Sequence, residues 1–161
     1  MEFTIVPRGP FSLKELAEFG FGSRHSRTFD GVMRMAFCVD GAFTRTVGVE
    51  VRQDGTGVHV RVRGSEERAA SAHVVQRQVA RILSLDHDAS GFVEIGQRDA
   101  VIGRLQAVAP GLRPPQFVSP YEAAAWGVIS ARWSSRQGQG WWRRFSETHG
   151  TARHTSWRVR R

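Results

Sequence analysis

The chain is predicted to fold as α+β, an antiparallel sheet covered by a helix and followed by a helical part. Three observations lead there. Residues 32–63 hold three strand patterns joined by turn signals. A long amphipathic stretch follows them, from Ser65 to about Leu85. Beyond Asp99 the period-two alternation stops and apolar residues recur at helical spacing.

The elements follow in order. Phe3-Thr-Ile-Val-Pro7 reads as a short strand ended by its proline. Ser12 suits the cap of a helix over Leu13–Phe19, with Glu15 at the capping-box position and Gly20 as its stop. Residues 20–31 are polar and glycine-rich, a loop. Val32–Val39 is largely apolar, and Asp40-Gly41 marks a turn. Thr44–Arg52 alternates through Val47, Val49 and Val51. Asp54-Gly55 is a hairpin signal, after which Val58, Val60 and Val62 alternate with His59, Arg61 and Arg63. The pattern describes a meander with one face buried and one wet. Ser65-Glu66-Glu67 opens the covering helix, its acids placed where the helix dipole favours them. Val74, Val75, Gln78, Val79, Ile82 and Leu83 mark that helix's buried face. A domain of residues 1–88 closes near Asp86-His87-Asp88, and Asp99–Val108 reads as the next helix.

At 161 residues the chain can hold one good core or two small domains. Its one cysteine, Cys38, lies in an apolar run and is expected to be a buried thiol. That count excludes a disulfide framework and a four-cysteine zinc site. The N-terminus has no basic patch followed by an apolar run, and no stretch reaches the length of a membrane span. A soluble, cytoplasmic monomer with no membrane partner is expected. The net charge of +8 is unevenly spread. Residues 1–99 carry thirteen basic and thirteen acidic side chains. Residues 100–161 carry ten arginines against Glu122 and Glu147. Of the 23 basic residues all but Lys14 are arginine, which a GC-rich genome would explain. Genome composition does not explain the missing acids, and a polyanionic partner does.

The most structured stretch of sequence runs from Ala109 to Gly138. Pro114 and Pro115 hold the chain extended. Ser119, Pro120 and Glu122 form a capping-box helix start. Tyr121, Ala124, Ala125, Val128 and Ile129 follow at helical spacing, so one helix is predicted from there to Gly138. Its first half should be buried. Its second half, with Arg132, Trp133, Arg136 and Gln137, should meet a partner. For chemistry the sequence offers little. No GxGxxG, Walker A, HExxH or CxxC pattern is present, and the histidines are scattered. His87 between Asp86 and Asp88 is read as a solvated helix end rather than a metal site.

Gly111-Leu112-Arg113-Pro114-Pro115, Tyr121-Glu122 and Val128–Ser134 resemble the DNA-3-methyladenine glycosylase II family, of the helix-hairpin-helix glycosylase superfamily. Phe29-Asp30-Gly31, Ala80–Asp86 and Ala100–Leu105 extend the resemblance over roughly residues 1–150. It implies a sheet domain followed, over 89–150, by the first helices of an all-α catalytic domain, with a divergent basic tail at 151–161. It also implies base-excision repair of alkylated bases by base flipping and N-glycosidic hydrolysis, with no metal or cofactor. Such chemistry needs a glycine-rich hairpin to hold a phosphate and an aspartate to stabilise the oxocarbenium-like sugar. The last aspartate here is Asp99, and the resemblance fades around Ser146–Gly150. The expectation is the front part of a glycosylase, truncated and inactive alone, with no catalytic residue carried over. A non-catalytic DNA-binding remnant, or a fragment without function, is the alternative.

What the resemblance carries over is binding. Weak contact with double-stranded DNA through the basic C-terminal part is expected. The intercalating position of the family falls on Arg132, which stays open between a wedge and a surface arginine. Phe19 falls on a base-pocket aromatic but also suits the core of a short helix. Trp133, Trp141 and Trp142 are open between stacking on bases and filling a core.

Overall fold

The computed structural model describes residues 1–19, 29–63 and 72–149. Most of the predicted loop at 20–31, the acidic helix start at Ser65–Glu67 and the tail from Thr151 lie outside them. The fold is α+β, with a four-stranded antiparallel sheet among the described residues. By compactness the chain divides into two units, Met1–Gln116 and Phe117–Arg161. The predicted boundary near residue 88 falls inside the first.

In the first unit β1 (Glu2–Ile5), β2 (Met33–Val39), β3 (Ala42–Asp54) and β4 (Gly57–Arg63) are ordered β1-β4-β3-β2. The meander is formed as its turns predict, and the N-terminal strand adds to its far edge, pairing Phe3 with Val60. Alternation decides which side is wet. Met33, Met35, Phe37 and Val39 are buried, as are Val47, Val49, Val51, Val58, Val60 and Val62. Leu13 and Leu16 of α1 (Leu13–Glu18) and Val75, Val79 and Ile82 of α2 (Ala72–Ile82) are buried with them. Each such side chain contributes about 1.5–3 kcal/mol relative to exposure. Cys38 corrects the expectation of a buried thiol. It falls on the wet phase of β2 and is exposed. The outer face carries a row of alternating charge in register across all four strands, Arg34, Glu50, Arg61 and Glu2.

Polar side chains tie the elements together. Gln78, buried on α2, donates to the Cys38 carbonyl at 2.9 Å and accepts from the Asp40 amide at 3.0 Å. Arg81 grips Asp40 with both terminal guanidinium nitrogens, at 2.7 and 3.3 Å. Ser12 caps α1, accepting from the Glu15 amide at 3.2 Å. The Glu15 carboxylate does not complete that capping box; it accepts from the Gly111 amide at 2.9 Å. Gly111 in turn accepts from the Ser12 amide at 2.8 Å. A side chain at Gly111 would lie 2.6 Å from Ser12, so only glycine permits this approach.

Arg113 has the strongest claim to hold this unit together. It is 5% exposed. Its guanidinium donates to the carbonyls of Pro10 at 2.9 Å, Ser84 at 2.8 Å, His87 at 3.1 Å, Arg8 at 2.6 Å and Gly9 at 3.2 Å. Burial pulls its pKa below the usual arginine value, and Asp88 partly offsets this. Thus the arginine of the Gly111–Pro115 motif is a clamp on three segments of backbone. After α2 come α3 (Phe92–Arg98) and α4 (Ala100–Val108), which bury none of their residues. The sequence pattern does not predict α3; α4 starts where predicted, with Asp99 as its cap.

Candidate nucleic-acid interface

In the second unit the single helix predicted from Ser119 to Gly138 is two helices. The first is α5 (Pro120–Ile129) and the second α6 (Ser135–His149). The predicted start of α5 is present. Ser119 Oγ accepts from the Glu122 amide at 3.1 Å, and Pro120 occupies the first turn. Glu122 reaches back one residue further than a capping box requires, accepting from the Val118 amide at 3.0 Å. Burial raises its pKa above the usual glutamate value, and that amide partly opposes the rise.

Local polar chemistry breaks the helix. Ser130 folds back on α5, its hydroxyl donating to the Trp126 carbonyl at 2.6 Å. Ser134 then starts α6 in a capping box with Gln137. Gln137 Oε1 accepts from the Ser134 amide at 3.2 Å, and the Gln137 amide donates to Ser134 Oγ at 3.4 Å. Serine competes with the helix for its own backbone and so favours ends over interiors. Between these two stops Arg132 has φ +62°, in the left-handed region. That conformation costs a non-glycine residue about 1–2 kcal/mol.

The predicted residues are therefore brought together, but differently. Arg132 and Trp133 lie in the turn, Arg136 and Gln137 in the first turn of α6, and the four are exposed. Arg132 and Arg136 are not one helical turn apart on a continuous helix. Gln137 spends its oxygen on capping. Phe19, in the first unit, closes α1 and is 67% exposed, so it is not a core residue. The first half of the predicted helix is not buried either, with Tyr121 66% and Val128 78% exposed.

Aromatic side chains form the seam between α5 and α6. Trp126 meets Trp142 edge-on at 6.0 Å across the seam, and along α6 Trp142 meets Phe145 at 6.2 Å. Gly138 is buried in this seam rather than ending a helix, and a side chain there would lie 3.2 Å from Ser130. A second aromatic pair stands apart from the seam, Trp133 and Trp141, with centroids 6.4 Å apart. The Arg144 guanidinium lies over Trp141 at 5.3 Å. From the sequence Trp141, with Trp133 and Trp142, is open between stacking on bases and filling a core, and Arg144 is not singled out. The i, i+3 spacing of Trp141 and Arg144 was the available signal, hidden by ending the helix at Gly138.

The unit is strongly basic, with eight arginines against Glu122 and Glu147. Glu122 is half-buried, and Glu147 is 3.8 Å from Arg143. Among the described residues no group of histidines, cysteines and acids could hold a metal ion. Nor is any described helix long and apolar enough to cross a membrane.

No family model matches this chain, and no curated protein does. Among solved structures it is similar to a 3-methyladenine DNA-glycosylase from Archaeoglobus fulgidus, at 16% identity and a TM-score of 0.63. The match covers 86% of this chain and 47% of the other, so the chain spans about half the length of that structure. At this identity the likeness is one of fold, and the chain has a distant glycosylase-like fold.

Proposed function

We propose that this chain is a DNA-binding, base-excision-glycosylase-like protein that engages DNA through the turn between α5 and α6. The observation that carries this is the turn itself. A strained, exposed arginine stands at its tip, flanked by Trp133 and Arg136. Strain at an exposed non-glycine residue is a reason to look for function. The likeness to a structure titled a DNA glycosylase and the excess of arginine in the same unit support the reading. Arg132 is the wedge that fills the space of a flipped nucleotide, and Arg136 is a phosphate contact. Phe19 is assigned to the base pocket on the resemblance alone.

On its own the chain binds and does not excise. Asp99, the last aspartate, caps α4 through one carboxylate oxygen, Oδ1, which accepts from the Val101 and Ile102 amides at 2.8 and 3.0 Å. The test is fluorescence anisotropy with duplex DNA across a salt series. Affinity should fall steeply with salt, and Arg132→Ala with Arg136→Ala should flatten the log–log slope by about 2. Arg132→Ala alone should weaken binding to an abasic site more than to intact duplex. An unchanged slope would remove both residues from the interface. Release of 3-methyladenine that depends on a residue of this chain would overturn the non-catalytic assignment.

A further inference from the structure

Trp126 and Trp142 hold α5 and α6 together. Trp133 and Trp141 are not needed for that. They stand 51% and 47% exposed, side by side, one from the inter-helix turn and one from the second turn of α6. Each indole, left half in water, offers an apolar face of the kind on which nucleic-acid bases stack, and the two ring planes are inclined by 47°. A cation joins them. Arg144 lies over Trp141, and among the described residues it makes no ion pair. Every base has a π-face, so such a platform tolerates sequence but requires the base to be unpaired. The surrounding charge fits a polyanion: Arg132, Arg136, Arg143 and Arg144 surround these rings in sequence, against Glu147 alone.

We infer that Trp133, Trp141 and Arg144 form a stacking platform for an unpaired base in single-stranded DNA, with Arg144 also serving its phosphate. The inference rests on the DNA-binding reading above but adds a ligand form and residues outside the turn contacts. It makes the α5–α6 hairpin a reader of melted or gapped DNA next to the position of Arg132.

The test uses the full chain with a labelled thymidine dodecamer and a fully paired duplex. Trp141→Ala should weaken dodecamer binding roughly 5- to 150-fold, the range for losing one base stacked on an aromatic ring. Its duplex affinity should change less than about twofold, since a paired base cannot reach the platform. Trp141→Phe should recover most of the loss. Should the alanine variant lose helix by circular dichroism, Arg144→Gln serves instead. It should flatten the salt slope on the dodecamer by about 0.7, one phosphate on a single strand. Unchanged dodecamer binding in the Trp141 and Arg144 variants, while Arg132→Ala still weakens duplex binding, would overturn the platform and leave the duplex interface standing. Equal losses on both DNAs would also overturn it. Tighter binding of a uridine dodecamer would overturn the assignment to DNA. Absence of binding to any of these probes would overturn this inference together with the function it rests on.

Discussion

Arg113 shows how one side chain can tie distant segments of backbone together. Its fork offers five N–H donors in fixed directions, and five backbone carbonyls meet it. Arg113→Ala leaves those acceptors in a buried site. It should cost about 3 kcal/mol, two or three unsatisfied carbonyls at about 1 kcal/mol each, in urea unfolding followed by circular dichroism. Arg113→Lys should recover little, because an ammonium group is a point donor and cannot span the fork. Glu122 is the opposite case, a group whose burial works against its charge. A carboxyl whose pKa is raised on folding favours the folded state when protonated, so stability is highest below the unfolded glutamate pKa and falls as pH rises through the folded one. Glu122→Gln keeps an acceptor for the Val118 amide and removes the charge. The variant should melt higher than the parent at pH 7, with the difference vanishing below about pH 4. All five tryptophans lie in the second unit, so intrinsic fluorescence reads this melt directly. A difference that persists at low pH would place its cause elsewhere.

At the scale of elements, α6 is rich in glycine yet regular, and its two glycines differ in kind. Gly138 faces α5, where a side chain would lie 3.2 Å from Ser130 and 3.4 Å from the Trp126 ring. Gly140 faces open space, with nothing near an added side chain. Gly140→Ala should therefore stabilise the second unit by about 0.5–1 kcal/mol through helix propensity. Gly138→Val should destabilise it by about 1–3 kcal/mol, because the added methyls must force the seam apart. Thermal melts of the two variants should move in opposite directions. Movement in the same direction would show that the seam yields more easily than its spacing implies.

At the scale of the whole molecule, stability and charge are divided between the units. The first buries the valines of β3 and β4 almost completely. Neither α5 nor the exposed side of α6 has comparable cover, and Val128, Trp133, Trp141 and Phe145 remain in water. Amide exchange should accordingly be slower across Val47–Val62 than across Val128–Trp142, since protection follows burial and cooperative packing. The reverse order would mean that the second unit is held by something other than the contacts described. The excess of arginine belongs to the less buried part. The stability of that part should consequently respond more to salt than that of the sheet does.

What the sequence by itself determined was local and periodic. Alternating valines and the Asp-Gly turns specify β2, β3 and β4 and which face of each is buried, because the pleat has a period of two. The caps at Ser12 and Ser119 specify where α1 and α5 start, because a side-chain oxygen three residues upstream satisfies a free amide. The charge asymmetry and the cluster from Arg132 to Gln137 are also legible without coordinates. Tertiary structure decided what depends on partners distant in sequence. β1 joins β4 across more than fifty residues, and no local pattern names that neighbour. Arg113 could be a surface cation or a clamp until the carbonyls of residues 8–10, 84 and 87 converge on it. The break after Ile129 rests on Ser130 and Ser134 turning to their own backbone, a choice that apolar spacing does not register. With the break in place, α6 runs on past Gly138, and Trp133, Trp141 and Arg144 come together because packing of Trp142 against Trp126 fixes which way α6 faces.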